Sequence, residues 1–470
     1  MLVGTLSSNA DFGQSSLLSE ATFITQPQDL SGFSVCTSGP QPGVAFIAGA
    51  TGSIYMYRNT TRTLAKVHSV EGKVCDLFAA DVSDHSGDVV TAVLISVVGQ
   101  SEAQLVYMDL ASDPDTIRVV RIPVSELSSA SVITSMTHLR ASGDDFLILG
   151  FRRGSIAVYS IREDAAALIR VIDKVHNDEA VTSLSWVALF ADLPRGYLLS
   201  VGRNGHLAVH YIDISAKLVE LVHNLALPFG PNIEGLYFQN DHLLVHGFSS
   251  KKWFLYDVTS EEEVMGIDTG GAHRSWTFRS HPAMGGTLVW TRASSLHICS
   301  QKGPNHTVVH SGGHGREIKA VTVSSRSHSK PHSRMIATGA EDTDIKIFQY
   351  DDNDLVCRRT LRKHTTGIQH LQWSNKGDYL FSSGGCEECM YIVLAVRHIG
   401  RPSDLLTFAV YIWRIRGVLS SGLEIGVVCE HVYTPESEHS DLRIMSFDVV
   451  TQGFAHTIAM MFSDSSIKVV

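Results

Sequence analysis

"IATGAEDTDIKIF" (336–348) holds a short apolar strand, a polar turn from Glu341 to Asp344, and a second strand that ends on the aromatic Phe348. The same phrase returns along the chain. It appears as "AFIAGATGSIYMY" (45–57), "LILGFRRGSIAVY" (147–159) and "LLSVGRNGHLAVH" (198–210). It returns as "LLVHGFSSKKWFLY" (243–256), "LVWTRASSLHIC" (288–299) and "AMMFSDSSIKVV" (459–470), with weaker copies at 89–108 and 379–413. Alternation with period two and the abundance of Val, Ile and Tyr predict strands. No segment keeps an amphipathic helical pattern over several turns.

The copies recur every 40–55 residues or so, roughly the period of WD-type repeats. Each copy supplies the two middle strands of a four-stranded blade. Flanking apolar stretches such as "AVTSLSWVAL" (180–189) supply the inner and outer ones. A blade that is apolar on both faces must stack on neighbours, and a ring limits exposed strand edges. The expected fold is all-β: a WD-type β-propeller, about seven blades in a closed ring plus one or two extra blades of a neighbouring propeller. Residues 30–470 form this region with nine blade-like units, the last incomplete because the chain ends at Val470, where the repeat calls for its Trp. A strand from the N-terminus closes that blade, or the chain is a fragment of a longer protein. Residues 1–29 are rich in Ser, Gln and Thr and are expected to be mobile.

One blade reads as interrupted. In "SGGCEECMYIVLAVRHIGRPSDLLTFAVYIWRI" (383–415) the pair Tyr-Ile occurs at 391–392 and again at 411–412. Without Tyr391 to Val410 the remainder, "FSSGGCEECMYIWRI", aligns with "IATGAEDTDIKIFQY" and puts Trp413 at the site of Phe348. Residues 391–410 are thus expected to be an insert within a blade. It is either a loop, for which "HIGRPSD" (398–404) has turn character, or a translated intron, which its apolar composition favours.

The formal net charge of −10 excludes a protein that coats nucleic acid non-specifically, and no DNA partner is expected. A confined basic patch remains compatible with RNA. Seven cysteines in 470 residues do not suit a secreted disulfide scaffold, and the N-terminus lacks the pattern of a signal peptide. The longest apolar run, "VVTAVLISVV" (89–98), is far short of the roughly 20 residues of a membrane helix. A cytoplasmic location is expected.

No nucleotide-binding loop, nucleophile elbow or zinc-protease helix is present, so no catalytic residue, metal site or cofactor is expected. Cys386 and Cys389 in "GGCEECMY" have metal-like spacing but no second pair of ligands, which leaves them as turn residues. His314, Thr338 and Asp342 stand where a WD blade keeps its buried hydrogen-bond network, with Phe348 in place of the indole donor. Two basic segments converge on that blade: "RSHSKPHSR" (326–334), a loop between two of its strands, with Arg326, Lys330 and Arg334, and "CRRTLRKH" (357–364), near an outer strand and the loop after it, with Arg358, Arg359, Arg362 and Lys363. They are either phosphate contacts or solvated loops. The acidic runs "SEEE" (260–263) and "DDND" (351–354) are expected to be solvated turns. Arg316 and Glu317 follow the Gly-His corner and enter the innermost strand near a propeller face. They form either an ion pair tethering neighbouring blades or a recognition pair.

"HGREI" (314–318) followed by "MIATGAEDTDIKIF" (335–348), and then "HTTGIQHLQWSNKGDYLFSSGGCEE" (364–388), resemble the WD-repeat accessory subunit of the tRNA wobble-ribose 2′-O-methyltransferase in its fungal form. The resemblance is specific over about 306–416 and general elsewhere. It implies a non-catalytic partner of a separate methyltransferase subunit, one that holds enzyme and tRNA in register. It also implies that Arg316 and Glu317 lie on a surface used by the partner or the RNA. A generic protein–protein adaptor of ubiquitin-ligase, endosomal recycling or trafficking machinery is the competing class.

Overall fold

The computed structural model of the protein describes residues 2–6, 18–23, 27–32, 34–83, 89–110, 116–124, 132–141, 143–190, 193–305, 312–325, 334–351, 354–385, 388–389, 406–407, 409–417, 425–434, 442–452 and 455–470. Among the described residues every regular element is a β-strand except the 3-10 turn Gln28–Leu30. The chain divides into two compact units: Met1–Gly196 with Asp213–Lys217, and Tyr197–Ile212 with Leu218–Val470.

In the first unit, Ser34–Ser38, Val44–Gly49, Ser53–Arg58 and Thr63–Ser69 form a sheet in chain order. Two more four-stranded meanders span 74–123 and 133–172. They join edge to edge through the parallel pair Arg121↔Ala165. Within 1–29, Leu2–Leu6 pairs antiparallel with Leu18–Phe23. In the second unit, meanders of four strands span 232–268, 318–361 and 368–433. The 276–301 and 444–469 sheets contribute three strands each among the described residues. These sheets are blades of the all-β WD type that the sequence predicts.

The repeat has a backbone signature. Inner strands shift register just after a branched apolar residue, at Val74, Ile133, Ile233, Ile318, Ile368 and Ile444. Third strands shift register just before an aromatic: Tyr55, Tyr159, Tyr256, Phe348 and Trp413. A bulge bends a strand and increases its twist, as radial packing of blades requires. Middle strands are continuously buried past their first residue, as in Asp144–Phe151 and Arg195–Gly202, because both faces are covered. Gly339 marks one close approach. A Cβ there would lie 2.4 Å from Ile368 Cγ2, on the inner strand of the 368–433 sheet.

The 368–433 sheet corrects the expected bounds of the insert. Tyr379–Gly384 pairs directly with Val410–Gly417, through Leu380↔Trp413, Phe381↔Ile412, Ser382↔Tyr411 and Ser383↔Val410. Val410 is therefore a strand residue, fully buried, and not part of an excursion. In the 318–361 sheet, Ile336 faces Phe348 and Thr338 faces Lys346. The counterpart of Thr338 is thus Ser382, one residue earlier than the sequence alignment places it. The interruption falls in the turn between second and third strands, where Glu388–Cys389 pairs with Leu406–Thr407. Cys386 and most of 391–410 lie outside the described residues.

Substituting Gly339→Ala is expected to lower stability by about 1–3 kcal/mol, because the added carbon overpacks against Ile368. Gly313→Ala, where a Cβ meets nothing within 4 Å, is the control and should stay within about 0.5 kcal/mol. Chemical denaturation followed by tryptophan fluorescence checks both.

Candidate functional site

The region singled out by the sequence is built on the 318–361 and 368–433 sheets. Its foundation is two hydrogen-bond networks. In the first, His314 Nδ1 lies 3.1 Å from each oxygen of Asp342, and His314 Nε2 lies 2.8 Å from Thr338 Oγ1. Asp342 also accepts the backbone N–H of Gly315 at 2.7 Å and of Asp344 at 3.2 Å. Burial opposes ionisation of Asp342, but the Gly315 N–H, His314 and the Asp344 N–H outweigh it and hold the carboxyl below its ordinary pKa. The second network is complete. His364 Nε2 lies 2.7 Å from Ser382 Oγ, which accepts the Trp413 indole N–H at 2.9 Å. This His-Ser-Trp set is legible only once the strands are in register.

Glu317 and Arg316 are exposed, at the mouth of the inner strand Ile318–Val323. Glu317 binds Lys319 at 2.9 Å, Lys319 reaches Glu341 at 3.2 Å, and the backbone C=O of Glu317 accepts the Glu341 N–H at 3.0 Å. All three belong to one sheet, so among the described residues the Glu317 contacts stay within its own blade. Arg316 makes no ion pair with a described residue, and its guanidinium is open to solvent.

The "CRRTLRKH" cluster divides. Arg359 is 2% exposed. Its Nε donates to the Ile425 carbonyl at 3.1 Å and its Nη1 to the Arg358 carbonyl at 2.6 Å. It is therefore a clamp onto the outer strand Ile425–Tyr433, not a nucleic-acid contact. The signal was present: positions 359 and 361 share one face of a strand, and Leu361 is fully buried. Arg358 is half-buried and donates to Gln349 Oε1 at 2.9 Å. Arg362 lies 3.8 Å from Asp344 with its side chain 27% exposed. Lys363 is exposed and lies 5.8 Å from the centre of the Tyr411 ring.

Arg334 opens its strand in the exposed class, paired with Tyr350. Arg326 and Lys330 lie outside the described residues. The acidic run at 260–263 is not simply a solvated turn. Glu261 accepts the Thr360 backbone N–H at 2.7 Å and the Thr360 hydroxyl, which ties the 232–268 sheet to the outer strand of the 318–361 sheet. The sequence supports that contact only through position: Glu261 sits at φ 59, the left-handed corner of a turn.

The family described as WD domain, G-beta repeat, matches residues 355–390. That span covers the outer strand bearing Arg359, the His364 corner and the strand bearing Ser382. The chain is 26% identical over 209 residues to the tRNA (34-2'-O)-methyltransferase regulator WDR6 of Bos taurus, covering 38% of this chain and 18% of that protein. It is 25% identical over 171 residues to a probable cytosolic Fe-S cluster assembly factor of Schizosaccharomyces pombe, covering 36% of this chain and 27% of the relative. The matches thus span well under a third of either curated relative. Among solved structures, a chain of a mitotic checkpoint complex is similar at a TM-score of 0.31 with 15% identity, over 76% of this chain and 87% of that one. The WD40 repeats of RRP9 are similar at 0.32 with 13% identity, over 74% and 86%. The fold stands here on the sheets and their register.

Two outcomes follow from this geometry. Arg359→Ala leaves the Ile425 and Arg358 carbonyls short of donors and is expected to cost about 1–3 kcal/mol, whereas Arg316→Ala should stay within about 0.5 kcal/mol. Thermal melts of the two variants decide it. Asp342 is stabilising above its unfolded pKa of about 3.9, and that contribution is lost as pH falls through its lower folded value. Asp342→Asn should therefore be less stable than the parent at neutral pH. It should also show a shallower loss of melting temperature on acidification below about pH 4.

Proposed function

We propose that the protein is a non-catalytic, cytoplasmic WD-repeat scaffold that binds a tRNA 2′-O-methyltransferase and positions tRNA for ribose methylation at the anticodon wobble position. The observation that supports this reading is the 26% identity over 209 residues to a tRNA (34-2'-O)-methyltransferase regulator. The surface chemistry agrees with it. His314 and Asp342 are consumed by the blade corner, while Arg316, Arg334 and Lys363 remain exposed on the same pair of sheets. Such an arrangement contacts a partner or a phosphate and offers no nucleophile paired with a base. Among the described residues no helix is long and apolar enough to cross a membrane.

The full chain, mixed with a tRNA 2′-O-methyltransferase and a substrate tRNA, is expected to form a complex in size-exclusion chromatography and to raise the rate of wobble-ribose methylation. Failure to bind the enzyme, with methylation unchanged, would remove the assignment and leave a general protein–protein adaptor. Replacing Arg316 and Lys363 together by Ala should weaken tRNA retention in the complex several-fold and lower its salt dependence.

A further inference from the structure

The spacing Gly-Gly-x-x-Arg occurs at two blade corners: "GGHGR" (312–316) and "GGAHR" (270–274). The structure superimposes their roles. In each, the residue after the arginine offers its backbone C=O to the far end of the second strand: Glu317 to the Glu341 N–H at 3.0 Å, and Ser275 to the Thr291 N–H at 2.9 Å. Ile318 faces Ala340, and Trp276 faces Trp290. Arg274 thus holds in the 276–301 sheet the place of Arg316, and Arg292 holds the place of Asp342.

That second correspondence reverses the chemistry of the corner. In the 318–361 sheet the acid Asp342 is there to hold His314 and the Gly315 N–H. In the 276–301 sheet the histidine has become Ala272 and the acid has become Arg292. No imidazole at the His314 position needs a partner, and a second cation stands beside Arg274. The two guanidiniums converge on one loop. A Cβ added at Gly270 would lie 3.6 Å from Arg292 Nε and 3.8 Å from Arg274 Nε. Gly270, at φ 86°, adopts a conformation that suits glycine and puts no side chain between the two guanidiniums, while Gly271, at φ 115°, lies against the His273 ring, 3.2 Å from an added Cβ to His273 Cε1. Arg274 Nε is buried and has no hydrogen-bond partner among the described residues. Asp268 is 70% exposed, lies 3.9 Å from Arg292 Nη1 and also accepts the Gly270 N–H at 3.1 Å. One exposed carboxylate against two guanidiniums leaves a net positive site. Lys251, whose carbonyl accepts the Gly270 N–H at 3.0 Å, adds an exposed cation on the same loop cluster.

We propose that Arg274 and Arg292, gathered over the Gly270–Gly271 loop, bind one phosphodiester group of an RNA backbone. Two planar guanidiniums, one from the corner before Trp276–Ser280 and one from the end of Gly286–Arg292, match the several acceptor oxygens of a phosphate, and Arg makes such contacts in a forked, charge-assisted geometry. The anion chemistry rests on these residues. That the phosphate belongs to RNA rests on the function proposed above.

The test uses the full chain. Binding of a fluorescein-labelled tRNA transcript is measured across a salt series for the parent, for R274Q/R292Q and for R274K/R292K. Melting in sodium phosphate is compared with melting in sodium chloride at equal ionic strength. The glutamine pair is expected to bind tRNA roughly tenfold more weakly, with a salt slope lower by about one. The lysine pair should recover part of the affinity, since charge is kept while the fork is lost. Phosphate should raise the melting temperature of the parent and not of the glutamine pair. Equal tRNA affinity and slope in all three proteins overturns the site and leaves the proposed function standing. A parent that binds no tRNA by itself overturns the RNA assignment of this site and leaves the proposed function to the methyltransferase experiment above. In that case a phosphate shift confined to the parent retains the anion site, and its absence overturns it.

Discussion

Ser382 Oγ is fully buried, and two groups meet on it: the Trp413 indole N–H at 2.9 Å and His364 Nε2 at 2.7 Å. Buried polar atoms must be paired, so this hydroxyl fixes three segments at once: the corner before the inner strand, the second strand and the third. The 318–361 sheet solves the same problem differently. Phe348 offers no donor, and Asp342 takes the histidine from the other side. Where the indole is absent, the corner depends on a carboxylate, and its integrity becomes sensitive to acid.

Register then decides which charged side chains are free. Alternation puts Arg359 beneath the outer strand that follows, where it donates to carbonyls, while Lys363 emerges past the strand end. Glu261 removes a further part of the apparent basic cluster by capping Thr360 from another sheet. A run of four cations in sequence is thus one clamp, two half-buried partners of local acceptors and one exposed amine.

The strand-turn-strand phrase was readable because it repeats, and because the third strand ends on an aromatic whose place the backbone marks with a bulge. His314, Thr338 and Asp342 were readable because the corner is dense in glycine and polar residues at fixed spacing. The offset between Ser382 and Ser383 was not readable, since two adjacent serines align equally well by eye and only the pairing of Leu380 with Trp413 chooses between them. Glu261 lies ninety-nine residues from Thr360, beyond any local pattern. Arg292 gave no signal by itself. It acquires meaning only when its sheet is laid on its neighbour and found to occupy the place of an aspartate.

The proposed interaction surface lies at the corners entering the inner strands, where the arginines are open rather than clamped. Hydrogen–deuterium exchange of the full chain, with and without bound tRNA, examines that division most directly. Slowed exchange is predicted in peptides covering 269–276 and 312–318, with no change across Asp354–Leu361. Slowing confined to Asp354–Leu361, with both corners unchanged, would contradict it.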